Sequence, residues 1–377
     1  MSGELNLGNV PFVDFEVVHR PVLEDLRAAF ERVLARGCFN GGAEVDAFEQ
    51  ALANRVGAAS AVGVGSGTAA LQLALQAAGI GAGDEVIVPS NSFFATAGAV
   101  LAVNATPVFA DVDAATALLD PDAVEAAVTS RTAAVIAVHL YGQPADVDRL
   151  RAVADRHRLF LLEDAAQAIG GSWDGRPVGS LGHAAAFSFY ATKNLGALGE
   201  AGAVTTSDPE LARRVTMLRS HGEAGKHLHE LAGTNERLDA LQAAFLAVKL
   251  AQFDEAQRLR DAAVARYHDQ LTDVEELALF QTLPQARNVH HLMVVQVPRR
   301  DHVLDCLRAA GIGAAVHYPT PIHLQPLFRD RGWQPGQLPV TERLAGRILS
   351  LPLFAGMSDD QVDRSAHALS VALKETR

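Results

Sequence analysis

The chain has 377 residues, of which 49% are hydrophobic and 20% are charged, a composition typical of globular proteins and a length that predicts two domains. Its 44 acidic and 32 basic residues give a net charge of −12, which argues against a nucleic-acid partner because such partners require a basic face. The longest apolar runs, such as 132–140, are too short to cross a bilayer, so we expect no membrane partner.

Two further features bear on the compartment. Residues 1–4 contain no basic and apolar secretory leader, so we expect a cytoplasmic protein. Cys38 and Cys306 lie far apart in the sequence and are expected to be reduced thiols.

The histidines form neither an H-E-x-x-H motif nor a cluster with cysteine, so we predict no metal site.

The first predicted helix, at 21–36, begins with Pro21 and ends before Gly37. From about residue 58 to 207, short apolar runs alternate with helical patterns. The predicted strands are 60–64, 85–88, 107–112, 133–140, 159–163, 184–189 and 203–206. The predicted helices between them are 68–78, 94–103, 121–128 and 147–157. Because the runs are apolar throughout, we predict a mostly parallel sheet buried on both faces, in a three-layer α/β/α domain.

The pattern changes after about residue 238. Residues 238–271 are rich in Ala, Leu, Gln and Arg and predict a long connecting helical element. The remaining predicted elements are strands at 288–297 and 314–318 and helices at 300–310 and 359–374. We therefore predict a large domain over residues 1–248, which includes the N-terminal segment, and a small α+β domain over residues 249–377.

The first candidate site is the turn V-G-S-G-T at 64–68, between a predicted strand and a predicted helix. A helix N-terminus presents unpaired N–H groups and the positive end of a dipole, so Gly67 and Thr68 are candidates for binding a phosphate. A tight turn with a hydroxyl cap and no ligand would give the same pattern. The turn is not a Walker motif, since no G-K-[ST] follows.

The second candidate lies at the end of the strand at 159–163, where Glu163 and Asp164 are followed by Gln167. In an open α/β sheet, ligands bind at the carboxyl ends of the strands. Asp164 there can hold a cation such as a protonated ring nitrogen, and Gln167 can bond a neighbouring oxygen. Helix capping by Asp164 is the structural alternative. Glu163 should point away from Asp164, so a pair of acid/base carboxylates is not predicted.

The third candidate is S-F-Y-A-T-K-N-L-G-A-L-G-E-A-G-A-V at 188–204, in which glycine-rich chain follows Lys193. Ser188 lies at a predicted strand end. A lysine held on a turn among small, apolar neighbours is partly desolvated, which lowers its pKa and makes the neutral amine available as a nucleophile. A solvated loop lysine is the commoner case, but it explains neither the glycines nor the strand ends on both sides.

A phosphate site, a carboxylate for a ring nitrogen and an amine for an aldehyde are together what pyridoxal 5′-phosphate (PLP) requires. From residue 10 to residue 352, the chain resembles the DegT/DnrJ/EryC1/StrS family of sugar aminotransferases, within the fold-type I (aspartate aminotransferase-like) superfamily. The stretches that carry the resemblance are GSGTAALQLAL, PSNSFFATAGAV, VHLYGQPADVD, EDAAQAIGG, SFYATKN, GTNERLDALQAA and HYPTPIHLQP.

The resemblance implies a role for each candidate residue. Lys193 would form the Schiff base with PLP, Asp164 would pair with the pyridine nitrogen, and Gln167 would lie near the ring hydroxyl. The ring that stacks on the pyridine is matched by Phe93, with Phe94 as its rival. The phosphate ligands are matched by Gly67, Thr68, Ser188 and, from the partner subunit, Asn235. The last match implies a homodimer with shared active sites.

By the same resemblance, the reaction moves an amino group from glutamate or glutamine to a ketone on a nucleotide-linked deoxysugar. The run K-N-L-G-A-L-G is most similar to enzymes that act on 3-keto-6-deoxyhexoses. The 4-keto sugars and the cyclitol or aminobenzoate-type branches remain open. The candidates for contacting the sugar, its nucleotide diphosphate or the donor carboxylate are Tyr318, His323, Arg219, His221, Lys226 and Arg237.

Three other functions were compared with this one. A dehydratase on the same fold would carry His at the position of Lys193. A Rossmann dehydrogenase would need G-x-G-x-x-G, which the glycines at 63, 65 and 67 do not match. A non-catalytic regulatory homologue remains the alternative of a different class, because a fold does not guarantee an activity. It would bind the cofactor without turnover.

Overall fold

The computed structural model describes residues 9–375, so residues 1–4, on which the expected absence of a leader rests, lie outside the described part. The helices are α1 (Phe15–His19), α2 (Leu23–Arg36), α3 (Ala43–Val56), α4 (Gly67–Ala77), α5 (Ala95–Ala102), α6 (Pro121–Ala127), α7 (Val147–His157), α8 (Pro209–Leu218), α9 (Ala240–Ala251), α10 (Phe253–Leu271), α11 (Arg300–Ala309), α12 (Pro326–Arg329), α13 (Pro339–Ala345) and α14 (Asp359–Glu375). The strands are β1 (Ser60–Val64), β2 (Glu85–Pro89), β3 (Thr106–Ala110), β4 (Thr132–Val138), β5 (Phe160–Asp164), β6 (Ser172–Trp173), β7 (Arg176–Pro177), β8 (Ala184–Ser188), β9 (Gly202–Thr206), β10 (Glu223–Gly225), β11 (Leu228–His229), β12 (Ala278–Leu279), β13 (Ala286–Arg287), β14 (Met293–Gln296) and β15 (Ile348–Leu351).

The largest sheet has seven strands in the order β1-β9-β8-β5-β4-β2-β3. Strands β8, β5, β4, β2 and β3 pair in parallel, whereas β9 runs antiparallel to both of its neighbours. The prediction of a mostly parallel sheet is therefore confirmed. The parallel strands all end at one edge of the sheet, and this edge carries the candidate site.

Both faces of this sheet are covered by apolar side chains. Along β8, Ala184 and Ala186 belong to one buried cluster, and Ala185 and Phe187 belong to another. Because successive strand side chains point to opposite faces, β8 is buried on both faces, and so is β4, of which Ala134 to Val138 all belong to the first cluster. Helices α4, α5, α6 and α8 contribute to the first cluster, and α2, α3 and α9 to the second. This is the predicted three-layer α/β/α arrangement.

A third buried cluster lies in the C-terminal part of the chain, among α10, α11, α14, β14 and β15. Val10 also belongs to it and pairs with Ile312 in an isolated bridge. The predicted domain boundary at 248/249 falls in the last turn of α9 and stays a prediction.

The sequence predictions and the structure differ in several elements. Residues 238–271 form two helices that meet at Gln252, rather than one connecting element. At 314–318, the predicted strand is reduced to an isolated bridge between Ala315 and Ser350. Helices α3 and α8 were not predicted.

Among residues 9–375, no helix combines the length and the apolar composition needed to cross a membrane.

Candidate active site

A cavity of about 450 Å³ opens where the parallel strands end. One wall comes from the segments that follow β1, β2, β5 and β8, and another from segments of the C-terminal part of the chain. The predicted site residues that line the cavity are Gly67, Thr68, Phe93, Asp164, Gln167, Ser188, Lys193 and Tyr318. The fold thus brings the three candidate stretches into one space.

Lys193 lies on a tight turn after β8. Its N–H donates a 2.8 Å hydrogen bond to the carbonyl of Tyr190, which closes the turn. A Cβ atom on Gly196 would collide with the carbonyl of Ala191, so the chain after Lys193 can fold back closely only because glycine stands there.

Lys193 and Asp164 are the ionisable pair of this cavity. Burial lowers the pKa of Lys193 to about 8, and the carboxylate of Asp164 opposes that shift. Burial also raises the pKa of Asp164, while hydrogen bonds from Thr96 Oγ1 to Oδ2 (2.8 Å) and from the Ala166 N–H to Oδ1 (3.3 Å) favour its ionised form. An amine with this pKa is partly neutral near neutral pH and can act as a nucleophile or a base.

Glu163 faces away from Asp164, as the alternation of side chains along β5 requires. Its Oε1 accepts hydrogen bonds of 2.8 Å from the N–H groups of Leu181 and Gly182. Its Oε2 lies 3.0 Å from the Gly179 N–H and 3.0 Å from Nε2 of the buried His139. This carboxylate supports the structure behind the site and does not line the cavity.

Gln167 and two aromatic rings form the wall opposite the lysine turn. Gln167 Oε1 accepts a 2.6 Å hydrogen bond from the Tyr141 N–H, and its Nε2 lies 3.5 Å from the hydroxyl of Tyr318. The ring centroids of Phe93 and Tyr318 are 5.7 Å apart. The ring of Phe94 packs instead in a separate aromatic group. The structure therefore brings Phe93, and not its rival, to the cavity.

The first turn of α4 closes one end of the cavity. Ser66 caps the helix, since its Oγ accepts a 3.1 Å hydrogen bond from the Ala69 N–H. Gly67 and Thr68 follow, at positions where backbone N–H groups have no partner within a helix. A Cβ on Gly67 would lie 2.5 Å from the Cβ of Ser188, so glycine lets β8 approach the helix start. The helix dipole and these groups suit an anion.

His323 was predicted near the substrate, but the structure places it in the protein interior, away from the cavity. Its Nδ1 lies 2.6 Å from Ser90 Oγ and its Nε2 lies 3.2 Å from Glu342 Oε1. Both ring nitrogens are thus occupied by protein groups, which corrects the prediction of a direct substrate contact.

Three predicted basic substrate residues also lie outside this cavity. Arg219 pairs with Glu49 at 2.5 Å and donates a 2.6 Å hydrogen bond to the carbonyl of Gly63. These contacts fix β1 in place, and they occupy the guanidinium of Arg219 with protein groups. His221 and Lys226 are exposed, beside and within the hairpin of β10 and β11.

Asn235 and Arg237 are exposed on the segment that precedes α9. Arg237 Nε donates a 3.1 Å hydrogen bond to Asn235 Oδ1. Neither residue lines the cavity of its own chain. The position of Asn235 is compatible with its predicted role in a partner subunit, and the roles of both residues stay predictions.

Several cavity residues were not singled out in the sequence, and two of them, Thr96 and His291, have polar contacts that bear on the site. Thr96 lies in the first turn of α5, after the end of β2. A hydroxyl at the edge where the parallel strands end could have indicated in the sequence that Thr96 belongs to the site. His291 lines the cavity and lies 3.0 Å, through Nδ1, from Asn194 Oδ1. Nothing in the local pattern marks His291, because its contact spans 97 positions of the chain.

Comparison with known proteins places the chain among transaminases. The model of the DegT/DnrJ/EryC1/StrS aminotransferase family matches residues 22–370. The erythromycin biosynthesis sensory transduction protein EryC1 of Saccharopolyspora erythraea is 48% identical over 355 residues, which cover 94% of this chain and 97% of that protein. The dTDP-3-amino-3,4,6-trideoxy-alpha-D-glucose transaminase of Streptomyces venezuelae is 45% identical over 369 residues, covering 98% of this chain and 97% of that protein.

Solved structures give the same result. The crystal structure of S. venezuelae DesV in complex with a ketimine intermediate matches with a TM-score of 0.94 and 44% identity, over 97% of this chain and 98% of that one. These findings confirm the resemblance that the motifs indicated and the predicted fold class. The chain belongs to the DegT/DnrJ/EryC1/StrS aminotransferase family.

Proposed function

We propose that this transaminase, which uses pyridoxal 5′-phosphate, moves the amino group of glutamate or glutamine to a nucleotide-linked keto-deoxysugar in amino-sugar biosynthesis. The observation that carries the proposal is that Lys193, Asp164 and the first turn of α4 line one cavity. The proposed acceptor is a dTDP-linked 3-keto-6-deoxyhexose, in agreement with the 3-amino sugar in the name of the Streptomyces venezuelae relative.

The residues of the cavity fit this cofactor. Asp164 is a buried carboxylate, and such a charge is stabilised by a charged donor like a protonated ring nitrogen. The first turn of α4 and the Ser188 hydroxyl suit a phosphate. Phe93 presents an apolar ring to the cavity, and Gln167 Nε2 is a donor for a ring oxygen. Lys193 would hold the aldehyde.

The catalytic work of the chain falls to two of these groups. When bound, the cofactor supplies a carbon that takes up the amino group and a ring that accepts electrons from the adjacent carbon. Lys193 Nζ, with its pKa lowered to about 8, can take a proton from the substrate carbon and return it. The negative charge of Asp164 would keep a proton on a ring nitrogen bound beside it.

A homodimer is part of the proposal. Asn235 is exposed and lies outside the cavity of its own chain, which supports a contact with the phosphate in a second copy. Phe93 and Tyr190 line the cavity and are 57% and 47% exposed, so a second copy would cover large apolar rings there. A groove of about 480 Å³ between α2 and α9 offers more apolar surface, from Leu23, Leu26, Phe30, Leu198 and Phe245.

The substrate residues divide into two groups under this proposal. Tyr318 lines the cavity and is placed to meet the sugar. His221, Lys226 and Arg237 are exposed basic or imidazole groups, and we assign them to the nucleotide diphosphate or the donor carboxylate across the dimer. A cytoplasmic location remains part of the proposal.

The test is a panel of dTDP- and UDP-linked keto sugars with glutamate or glutamine, followed by mass spectrometry and NMR of the product. The proposal predicts a 3-amino product from a dTDP-linked 3-keto sugar. A 4-amino product, or turnover of a cyclitol or aminobenzoate-type acceptor only, would replace the proposed substrate. The name of the EryC1 relative favours one alternative, a regulatory homologue, which predicts bound cofactor and no product from any acceptor.

A further inference from the structure

A partly buried series of hydrogen-bonded polar side chains begins at Asn194, the residue that directly follows Lys193. Asn194 Nδ2 donates to the Val289 carbonyl (2.9 Å) and to Gln257 Oε1 (3.2 Å). Gln257 Nε2 donates in turn to the same carbonyl (3.0 Å) and to Asp261 Oδ1 (2.7 Å). A carboxylate and a carbonyl can only accept hydrogen bonds. These groups therefore fix which atoms of Asn194 and Gln257 donate and which accept.

This assignment of donors and acceptors determines the tautomer of His291. With Nδ2 facing two acceptors, Asn194 presents Oδ1 to His291 Nδ1 at 3.0 Å, and an amide oxygen only accepts. Nδ1 of His291 must therefore carry a proton. Burial and the nearby Lys193, Arg260 and His317 lower the pKa of His291 well below its usual value, so the ring is neutral and Nε2 is a proton-free acceptor.

His291 and Lys193 line the same cavity, and Asn194 connects the two. We propose that Nε2 of His291 accepts a hydrogen bond from Lys193 Nζ once the amine is released from the cofactor and the lysine side chain turns toward this ring. The inference rests on the proposed function, because it concerns the lysine in its free form. His291 is then a positioning residue that stabilises the ammonium form of Lys193 between chemical steps.

The cavity also contains Glu200, Tyr190, Tyr318, His317 and Asp164. Asp164 favours the charged form of Lys193 as well, but it is kept in both variants at position 291, so its effect is the same in each. His317 has a pKa lowered to about 4 by burial, and its Nδ1 lies 2.8 Å from Ser350 Oγ. Arg260 directs Nη1 to the carbonyl of His291, at 3.4 Å, and carries only donors.

The tautomer can be measured without any assumption about function. In the full-length protein labelled with ¹⁵N-histidine, long-range proton–nitrogen correlation spectra distinguish the two neutral tautomers from the cation. The His291→Asn variant assigns the resonance. The expected result is a neutral ring protonated on Nδ1 at neutral pH. A ring protonated on Nε2, or a cation, would overturn the inference.

The link to Lys193 is tested with two matched variants. The amide of Asn at position 291 can place a donor where Nδ1 of the histidine lies, but it has no atom where Nε2 lies. The longer side chain of Gln can place a polar atom at the position of Nε2. We expect the pH midpoint of cofactor loading onto the apoprotein to fall by about one unit in His291→Asn, since a hydrogen bond to a charged group is lost, and to change little in His291→Gln.

The outcomes distinguish a failure of the role proposed for His291 from a failure of the proposed function. An unchanged midpoint in a folded His291→Asn protein contradicts the role of His291 and leaves the transaminase intact. Equal shifts in both variants would also contradict it, because the acceptor atom would then make no difference. A wild-type protein that takes up no cofactor would instead contradict the proposed function.

Discussion

Thr96 Oγ1 donates a 2.8 Å hydrogen bond to Oδ2 of Asp164 and lies 2.8 Å from the hydroxyl of Ser92. The bond connects the start of α5 with the end of β5. Because burial raises the pKa of Asp164, the ionised form depends on donors such as Thr96.

Replacing Thr96 by Val should weaken cofactor binding about tenfold. The change removes one hydrogen bond to a charged group while it keeps the shape of the side chain, and such a bond contributes about 1.5 kcal/mol or more. An absorbance titration of the apoprotein with PLP measures the dissociation constant. Thr96→Ser keeps the hydroxyl and is the control. Equal affinity of the Val variant and the wild type would show that Thr96 does not support the charge of Asp164.

Removing the charge of Asp164 should have a larger effect. Asp164→Asn leaves the proposed ring cation without its partner in a buried site, which costs on the order of 3–5 kcal/mol. We expect the dissociation constant for PLP to rise by at least about a hundredfold. Glu163→Gln is the comparison, because it disturbs a buried carboxylate that faces away from the cavity and should lower the melting temperature rather than the affinity. Similar affinity losses in both variants would contradict the separate roles of the two carboxylates.

Cofactor loading should depend on pH through Lys193. Only the neutral amine attacks an aldehyde, and the neutral fraction grows as the pH rises through the pKa. Since burial sets that pKa at about 8, the loading rate should increase up to about pH 8 and level off above it. Stopped-flow absorbance of apoprotein mixed with PLP gives the profile. A rate that is flat across this range, or that falls with rising pH, would be incompatible with a desolvated lysine.

Mixed dimers test the shared site. Asn235→Ala and Lys193→Ala should each be inactive or nearly so as pure proteins. When the two are refolded together, one site of each mixed dimer combines an intact lysine with an intact asparagine from the other chain, so activity should return. Mixing either variant with itself is the control. If no activity returns although mixed dimers form, Asn235 does not act across the interface.

The sequence was sufficient for the strands of the seven-stranded sheet and for the residues at their ends. Lys193, Asp164, Gln167 and Ser188 stand at strand ends or on the turns after them, and strand ends of a parallel sheet share one edge. Their assembly in one cavity therefore follows from the topology. The signals for α3 and α8 were also present, since Val45, Phe48, Leu52 and Val56 recur at helical spacing and Asp208 caps α8 before Pro209.

Other parts of the site depend on contacts between distant residues. His323 resembles a pocket residue in the sequence, but Ser90, 233 positions away, fixes it in the interior. His291 lines the cavity and contacts Asn194 of the lysine turn, 97 positions away. Neither contact leaves a periodic or compositional trace, so a single sequence cannot reveal them.

Every role proposed for this cavity requires that Lys193 carries the cofactor. Borohydride reduction of the purified holoprotein, followed by peptide mass mapping, tests it directly. Reactivity alone does not decide the outcome, because burial also lowers the pKa of Lys249 to about 8. We expect a reduced pyridoxyl group on Lys193, and its loss in Lys193→Ala. The same group found on Lys226, Lys249 or Lys374, the other lysines of the sequence, would show that Lys193 does not carry the cofactor.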